Sequence, residues 1–271
     1  MPELPEVETT VRGLARFLEG ERIERVTVNR PDMRRPFPPE LVQMLTGARV
    51  TGLGRRAKFG LIHTDRGQTL VFHLGMSGRW RINPEVADKH DHFVIDTAGH
   101  QFALNDARRF GWVDLVATDS LESWPSFAAM GPEPLGDALT VGHLRAALEG
   151  RKQAIKLLLL DQRIVAGLGN IYVCEALFRA RIDPRKAGGK VSRPALERLV
   201  PAIREVLEQS IADGGSTLRD YAAPDGELGY FATRFEVYGR EGEPCLRNDG
   251  GEVRRVVQGG RSTWFCPRCQ R

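Results

Sequence analysis

The chain has 271 residues, 41% of them hydrophobic and 27% charged, and its formal net charge at pH 7 is +4. This length suffices for two domains of ordinary size, each with its own hydrophobic core. No apolar run approaches the roughly 20 residues that a membrane-spanning helix needs, and the acidic, proline-containing start is unlike a signal peptide. The sequence thus excludes an integral helical membrane protein, and we expect a cytoplasmic location.

The positive charge is unevenly distributed along the chain. Residues 135–271 carry 22 Lys and Arg against 17 Asp and Glu, and residues 244–271 carry six Arg against two acidic residues. A localised basic face is the expected footprint of a nucleic-acid phosphate backbone, although a solvated surface gives the same composition. The charge pattern therefore favours a nucleic-acid partner without establishing one.

The stretch from Met1 to Glu6 has a chemistry of its own. A small second residue usually permits removal of the initiator Met, so we expect the secondary amine of Pro2 to begin the mature chain. A terminal amine has a pKa of roughly 7.7–8.0, so part of it is neutral and nucleophilic at neutral pH. Attack on an aldehyde-level carbon would give an iminium ion, and Glu3 is a candidate proton shuttle. The alternative is that Pro2 and Pro5 only start a helix whose dipole the carboxylates stabilise.

An amphipathic helix is predicted to follow this start, and short strands to follow the helix. Val7, Val11, Leu14 and Leu18 form one apolar face of a helix that ends near Gly20. Apolar segments typical of strands then recur at 23–28, 50–53, 59–63, 70–74, 93–95, 102–104 and 112–116. So many strands without intervening helices predict a sandwich or a barrel.

The second half of the chain is predicted to be mainly helical. Residues 131–136, with two Gly and two Pro, are typical of a linker. Helices are predicted at 140–150, 153–161, 170–181 and 193–212, and Pro201 should kink or split the last of them. The basic tail is predicted to form a two-stranded hairpin with Gly259-Gly260-Arg261-Ser262 between its strands. Arg261 could follow a DNA backbone closely there, or be a solvated turn residue.

The motif Gly167-Leu168-Gly169-Asn170 lies between two of the predicted helices. It lacks the third Gly of a dinucleotide-binding fingerprint and follows a helical run rather than a strand, which excludes that interpretation. A tight connection between two helices, with Asn170 at the start of the second, fits better. Exposed N–H groups and the Asn170 amide would then hold a phosphate, while an ordinary helix cap is the alternative.

Three of the four cysteines lie in the basic tail. Cys245, Cys266 and Cys269 approach the pattern of a zinc ribbon, for which two Cys-x-x-Cys pairs are expected. Asn248 stands where the second thiolate would be. Two alternatives remain. One is a metal site of three thiolates with Asp249 as an oxygen ligand, and the other is a hairpin without a metal. Cys174, on the apolar face of a predicted helix, is interpreted as a core residue.

Arg108 and Phe110 lie side by side in the turn Asp106–Gly111. Such a pair can enter a base stack, the ring wedging it open and the Arg pairing with the base left without a partner. Met76 is an apolar candidate for filling the space of a displaced nucleotide, although core packing would suit it equally. Lys58 and His90 are further polar residues near strand ends, where surface roles are common.

Taken together, these motifs resemble the bacterial formamidopyrimidine-DNA glycosylase family. The matching segments occur in the family's order, and that order makes the joint pattern specific. They are Pro2–Thr9, Arg55–Lys58, His73–Gly78, Lys89–His92, Arg108–Gly111, Gly131–Leu135, Gly167–Tyr172 and Tyr238–Arg240.

The resemblance implies an α+β protein that binds DNA between two domains. We expect an N-terminal β-sandwich with an N-terminal helix at 1–130 and a linker at 131–136. A helix-two-turn-helix domain at 137–232 should include a lesion-capping loop around Gly215–Tyr230, and a zinc-finger-like hairpin should occupy 233–271. One structural zinc ion is implied, held by Cys245, Cys266 and Cys269, but Asn248 departs from the four-thiolate pattern and leaves its binding and fourth ligand open.

The resemblance also implies roles for individual residues. Pro2 would be the Schiff-base nucleophile, Glu3 the proton donor to the opening sugar ring, Lys58 the proton donor in β-elimination and Arg261 that in δ-elimination. The residues matching DNA-contacting positions are Met76, His90, Arg108, Phe110, Arg151 and Asn170.

The expected function is that of a bifunctional DNA glycosylase and abasic-site lyase. It would excise 8-oxoguanine and formamidopyrimidines from damaged double-stranded DNA in base-excision repair, as a nucleoid-associated monomer without a membrane partner. An endonuclease VIII-type enzyme for oxidised pyrimidines is an alternative with a different usual opening sequence. A damage-binding protein without catalysis is the other, against which the presence of Pro2, Glu3 and Lys58 argues.

Overall fold

The computed structural model describes residues 2–216 and 231–271 and has an α+β fold. It divides into two compact units, residues 1–128 with 211–232 (the N-terminal unit) and residues 129–210 with 233–271 (the C-terminal unit). The sequence-based bounds place residues 211–232 with the helical domain instead, and those bounds remain a prediction. No helix in the described ranges combines the length and apolar character required to traverse a bilayer.

The N-terminal unit begins with helix α1, Leu4–Leu18, as the apolar periodicity predicts. Glu3 is its N-cap, and Glu3 and Glu6 form a reciprocal capping box that satisfies N–H groups otherwise left open at a helix start. The predicted apolar face of α1 is buried in the core, and the helix packs against strands of both sheets of this unit.

Eight antiparallel strands form two four-stranded sheets, which confirms the predicted sandwich. They are β1 (Arg25–Val28), β2 (Val50–Arg56), β3 (Phe59–Thr64), β4 (Gln68–His73), β5 (Arg79–Ile82), β6 (Asp91–Asp96), β7 (Gln101–Asn105) and β8 (Trp112–Ala117). The orders are β1-β6-β7-β5 and β2-β3-β4-β8. Inward-facing residues of both sheets join α1 in one core, where Phe72, Trp80 and Phe93 are fully buried.

Three short elements of this unit have no counterpart in the sequence prediction. They are β5 and the helices α2 (Leu41–Leu45) and α3 (Pro125–Ala128). Strand β5 spans only four residues, in which two Arg alternate with Trp80 and Ile82, so the run is too short to indicate a strand by itself. Its pairing with β7 from Arg79↔Asn105 onward holds it in place. Both helices are shorter than two turns, too short to show a period.

Four helices follow: α4 (Val141–Leu148), α5 (Ile155–Leu159), α6 (Asn170–Arg179) and α7 (Arg193–Ala212). The expectation that Pro201 splits the last helix is wrong, because α7 is a single helix of 20 residues with Pro201 inside it. A proline removes one backbone hydrogen bond. Burial of Leu199, Ile203 and Val206 on one face holds the helix together on both sides of that gap.

The tail forms the predicted hairpin, with β9 (Arg254–Gln258) paired to β10 (Arg261–Phe265). The connection is shorter than predicted: only Gly259 and Gly260 lie between the strands, both with positive φ (56° and 72°). Two residues with positive φ match the twist of a tight hairpin, and glycine adopts them without strain. Arg261 is therefore the first residue of β10, exposed at its start, rather than part of the turn.

Candidate functional site

The start of α1 is buried and fixed by the carboxylate of Glu6. One oxygen of Glu6 accepts a hydrogen bond from the N–H of Glu3 at 2.8 Å. The other accepts from the N–H and hydroxyl of Ser216 at 2.8 and 2.9 Å. Pro2 and Glu3 are both buried beside it. The capping box could be expected from the sequence because Glu3 and Glu6 are three residues apart. The contact with Ser216 could not, because nothing in the sequence connects these two distant positions.

Lys58 lies in the two-residue turn between β2 and β3, with Ala57 at φ 53°. Arg55 fixes this turn to α1: its Nε lies 2.9 Å from a Glu8 carboxylate oxygen and its NH1 donates to the carbonyl of Ala57 at 2.9 Å. Since the Arg55 side chain is only 9% exposed, solvent screens this ion pair weakly. The turn that carries Lys58 is therefore held in a defined position relative to α1.

His73 is a further residue of this region, to which the sequence analysis gives no separate role. Its ring packs on Phe59 and Trp112 at centroid distances of 5.1 and 5.9 Å. Burial of the ring, followed by the positive charges of Lys58, Arg34 and Arg35, lowers the pKa of His73 to about 4. The imidazole is thus neutral at pH 7. Its Nδ1 accepts from the N–H of Gly75 at 3.0 Å, so Nε2 carries the ring proton.

Met76 and Phe110, predicted to act together on DNA, do lie together. They line a cleft of about 480 Å³ whose other walls are Arg34, His73, Gly75 and Arg109. Phe110 is 43% exposed, which is unusual for so large an apolar ring. The Arg108 guanidinium lies 5.0 Å from the centre of that ring. An exposed aromatic ring with a cation over its face is suited to stacking on a planar partner.

Asp106 fixes the two turns that form this cleft. One of its oxygens accepts from the Ser77 hydroxyl at 2.6 Å, and the other accepts from the N–H of Gly111 at 2.7 Å. The N–H of Asp106 donates to the carbonyl of His90 at 3.0 Å, which brings His90 to the same loop. Gly75 has φ 63°, and a Cβ there would lie 2.3 Å from the backbone of Phe110, so only glycine allows this approach.

In the C-terminal unit, the hairpin is held by the carbonyl of Ser262. The Asn170 amide Nδ2, at the start of α6 as predicted, donates to it at 3.0 Å, and Lys156 Nζ donates to it at 3.1 Å. Lys156 is fully buried and also donates to the Thr263 hydroxyl at 2.6 Å. These contacts fix the backbone directly after Arg261. A buried Lys cannot be told from an exposed one by the spacing of apolar residues, so Lys156 was not predicted to have a role.

Arg151, predicted to contact DNA, is exposed in the turn after α4.

Glu175 is a second buried charged group that sequence reasoning missed. Its two oxygens accept from three consecutive backbone N–H groups, those of Glu236, Val237 and Tyr238, at 2.8 to 3.1 Å. Burial raises the pKa of Glu175, while these three N–H donors oppose that change. The carboxyl group thus fixes the backbone at Tyr238, which begins the Tyr238–Arg240 motif.

Three cysteines and one aspartate of the tail converge on one point. The ligand atoms of Cys245, Asp249, Cys266 and Cys269 all lie within 4.8 Å of one another, and no other comparable group of ligand residues occurs in the ranges 2–216 and 231–271. Burial and the two neighbouring thiols raise the pKa of Cys269 to about 12. A divalent cation would offset that cost by stabilising the thiolates, so the donor set fits a metal ion.

Three family models match this chain in succession. They describe the formamidopyrimidine-DNA glycosylase N-terminal domain (residues 1–113), the formamidopyrimidine-DNA glycosylase H2TH domain (130–222), and a zinc finger found in FPG and IleRS (242–271). The chain belongs to the formamidopyrimidine-DNA glycosylase family. The resemblance and the α+β fold class predicted from the sequence are thereby confirmed.

Relatives in the family match over their full length. A formamidopyrimidine-DNA glycosylase of Erythrobacter litoralis is 77% identical over 271 residues, and one of Novosphingobium aromaticivorans is 72% identical over 272, with complete coverage of both chains in each case. A solved complex of Lactococcus lactis Fpg with DNA containing an abasic site is 35% identical with a TM-score of 0.92 and complete coverage. The MutM (FPG) protein of Thermus thermophilus is 40% identical, with a TM-score of 0.89, covering 99% of this chain and 98% of that one.

The family match also bears on the metal site. A zinc-finger model covers residues 242–271, and within that range lie all four ligand residues of the converging group. The match and the group together support zinc binding by the tail of this glycosylase-family chain.

Proposed function

We propose that this protein is a bifunctional DNA glycosylase and abasic-site lyase that removes oxidised purines, including 8-oxoguanine and formamidopyrimidines, from double-stranded DNA. The observation that carries the proposal is the buried start of α1, where Glu6 holds Glu3 and the backbone beside Pro2 in place. Full-length identity of 72–77% to formamidopyrimidine-DNA glycosylases supports it.

Pro2 is the proposed nucleophile. Met1 lies outside the described residues, and the proposal requires its removal so that the Pro2 nitrogen is a free secondary amine. This nitrogen forms a bond to C1′ of the damaged nucleotide as the C1′–base bond breaks. The base leaves with the electron pair and takes up the proton that the Pro2 nitrogen loses. Glu3 then gives a proton to O4′ as the C1′–O4′ bond opens, which leaves an iminium ion between the nitrogen and C1′.

Strand cleavage follows from that iminium ion. It acidifies the C2′–H bond, and loss of this proton expels the phosphate on the 3′ side. A second elimination expels the phosphate on the 5′ side, and water then releases Pro2 by hydrolysing the C=N bond. Lys58 is the proposed proton donor of the first elimination and Arg261 that of the second. Both eliminations proceed through side chains and the iminium ion, and the zinc of the tail has a structural part only.

The proposed DNA contacts lie in both units. In the N-terminal unit, Met76 and Phe110 would enter the base stack from the walls of their cleft, together with Arg108, whose guanidinium lies over the Phe110 ring. His90 would contact the backbone. In the C-terminal unit, Arg151 and Arg261 are exposed cations suited to phosphates. Asn170 uses one hydrogen of its amide on Ser262, and the second would hold a phosphate.

We further propose an oligomeric state, a cellular location and a structural metal ion for this protein. The protein would act as a monomer on damaged duplex DNA, at the nucleoid of a bacterial cell and without a membrane partner. A zinc ion held by Cys245, Cys266 and Cys269 would stabilise the hairpin. A loop around Gly215–Tyr230 is predicted to cover the displaced base, and its residues 217–230 lie outside the described residues.

Borohydride trapping on DNA with an abasic site tests the proposal. Wild type should form a covalent adduct, protein whose amino terminus is blocked by an uncleaved N-terminal tag should form at most a trace, and the control Pro5→Ala should trap normally, since it alters a proline of α1 and leaves the terminal amine. Duplex binding without an adduct in wild type would instead indicate a non-catalytic damage-binding protein. Excision of thymine glycol in preference to 8-oxoguanine would indicate the endonuclease VIII-type activity.

A further inference from the structure

The loop 245–251 departs from a four-thiolate zinc finger at one position. Cys245 begins the loop, and Asn248 occupies the place where a second Cys-x-x-Cys pair would end. We propose that Asp249 supplies the missing ligand, so that the zinc site has three sulfur ligands and one carboxylate oxygen. The inference rests on the zinc-binding part of the proposed function and names the ligands of that site.

Asn248 is placed away from the ligand group by its backbone. Its N–H donates to the carbonyl of Cys245 at 3.0 Å, closing a tight turn, and its φ of 52° is left-handed. Asn tolerates this conformation better than most residues. The Asn248 side chain is exposed, whereas Asp249 is partly buried with the thiols. The turn thus directs residue 249, not residue 248, toward the three cysteines.

Asp249 is already oriented as a ligand that uses one oxygen. Its Oδ1 accepts from the N–H of Gly251 at 2.8 Å, which fixes the carboxylate. Its Oδ2 lies 3.8 Å from the sulfur of Cys266. A Cβ at Gly251 would lie 2.7 Å from that sulfur and 2.8 Å from Oδ1, so glycine is needed for this N–H to reach the carboxylate. Metal-bound carboxylates are characteristically held by such an outer hydrogen bond.

Two separations within the ligand group are close to those of a tetrahedral zinc site. Zinc binds sulfur at about 2.3 Å and carboxylate oxygen at about 2.0–2.2 Å, so two sulfurs should lie about 3.8 Å apart and a sulfur and an oxygen about 3.6 Å apart. The sulfurs of Cys245 and Cys269 are 3.9 Å apart, and Cys266 and Asp249 are separated by 3.8 Å. These two separations are thus close to the values that one zinc ion requires, and all four ligand atoms lie within 4.8 Å of one another.

Arg247 supplies positive charge to the ligand group. Three thiolates and a carboxylate exceed the charge of Zn²⁺ by two, so a nearby cation stabilises the complex. The NH1 group of Arg247 lies 3.7 Å from the sulfur of Cys269, and its NH2 donates to the carbonyl of Arg179 at 3.1 Å. The guanidinium also packs over the ring of Phe178 at 4.4 Å. These contacts hold the cation beside the site.

X-ray absorption at the zinc edge, with zinc content and chelator competition, tests the inference on the full chain. Wild type should contain one zinc with three sulfur neighbours and one oxygen. Asp249→Ala and Asp249→Asn should lower zinc affinity by at least roughly tenfold, because loss of even an outer partner costs about 10–100-fold. The matched control Asn248→Gly, which adopts the left-handed φ of 52° without strain, should keep wild-type affinity. Asp249→Cys should bind zinc with four sulfur neighbours, which keeps the test decisive if Asp249→Ala fails to fold.

Three results would overturn the inference. Unchanged affinity in Asp249→Ala would mean that water, not the carboxylate, completes the site. Equal losses in the Asn248 and Asp249 variants would mean that the loop is merely fragile. Four sulfurs in wild type would point to the buried Cys174, which packs in the same apolar cluster as Cys245 and Cys266. Borohydride trapping of the same preparations separates a failure of this site from a failure of the Pro2 chemistry.

Discussion

At the scale of single residues, buried carboxylates and one buried imidazole determine the geometry of the N-terminal unit. Glu6 connects the start of α1 to Ser216, and Asp106 connects the two turns of the Met76 cleft. His73 lines that cleft, and the charge of Lys58 acts on its ring. Each makes hydrogen bonds in surroundings where an unpaired polar group would cost about 1–3 kcal/mol. These residues position the groups that we propose to meet DNA.

Glu3→Gln separates base excision from strand cleavage. Gln has the shape of Glu but no acidic proton, and a positioned general acid contributes about 10²–10⁴-fold to rate. We expect excision of 8-oxoguanine to fall at least roughly 100-fold, with cleavage of a preformed abasic site reduced much less. Single-turnover assays on the two substrates measure this. Glu19→Gln, at the exposed end of α1, is the control, and equal losses in both assays would refute the role of Glu3.

His73 makes stability depend on pH in the acidic range. Its pKa is about 4 in the folded protein and about 6.5 in the unfolded chain, so the unfolded chain binds more protons between these values. The stability that the neutral ring provides is complete above pH 6.5 and is lost as pH falls toward 4, about 3 kcal/mol in all. Urea unfolding of wild type and His73→Gln across this range should show the smaller loss in the variant. Parallel curves would contradict the buried, neutral His73.

At the scale of elements, the hairpin β9–β10 depends on contacts with α5 and α6. The buried Lys156 and Asn170 both donate to the Ser262 carbonyl, and Lys156 reaches Thr263 as well. The backbone directly after Arg261 is thereby tied to the helical part of the same unit, which is the structural requirement for an Arg that must meet a defined phosphate.

Lys156→Met tests this attachment. The variant keeps an unbranched side chain that is one atom shorter but leaves the Thr263 hydroxyl without this donor, so we expect a loss of about 1–3 kcal/mol in the free energy of unfolding. The share of product from the second elimination should fall, because Arg261 is no longer held. Gel analysis of the product ends measures that share, with exposed Lys190→Met as control. An unchanged ratio of the two products would show that Lys156 does not position Arg261.

Helices and strands whose apolar residues recur at a regular spacing were predictable from the sequence. Contacts between segments far apart in the chain were not. The helix α1, seven of the eight sandwich strands and the start of α6 at Asn170 follow from apolar spacing and turn residues. Strand β5 exists only through its pairing with β7, and α7 survives Pro201 through burial of its apolar face. The tight hairpin turn at Gly259-Gly260 is shorter than its composition suggests. In each case tertiary packing decided the outcome.

The same division applies to the candidate site. Pro2, Glu3, Phe110 and the cysteines could be singled out from the sequence by their chemistry, whereas Lys58 acquired its role only through the family resemblance. Partners such as Ser216 and Lys156 could not, because each is an ordinary residue until the fold brings it within hydrogen-bond distance of a group far away in the chain. The resemblance to a family added roles, and the structure added the groups that hold those residues in place.

At the scale of the whole molecule, the chain combines a sandwich with a buried amino-terminal start, a helical unit and a cysteine-bearing hairpin. Full-length matches to formamidopyrimidine-DNA glycosylases cover all of these parts. The account of function depends on one bond, between the Pro2 nitrogen and the sugar of a damaged nucleotide. Every other proposed role in catalysis assists the forming or breaking of that bond or the eliminations that it permits.

Peptide sequencing by mass spectrometry of the borohydride-trapped complex tests that bond most directly. We predict a processed chain whose first residue is Pro2 and whose only DNA adduct is on the Pro2 nitrogen. Fully active protein that retains Met1, or an adduct on a lysine such as Lys58, would contradict the account.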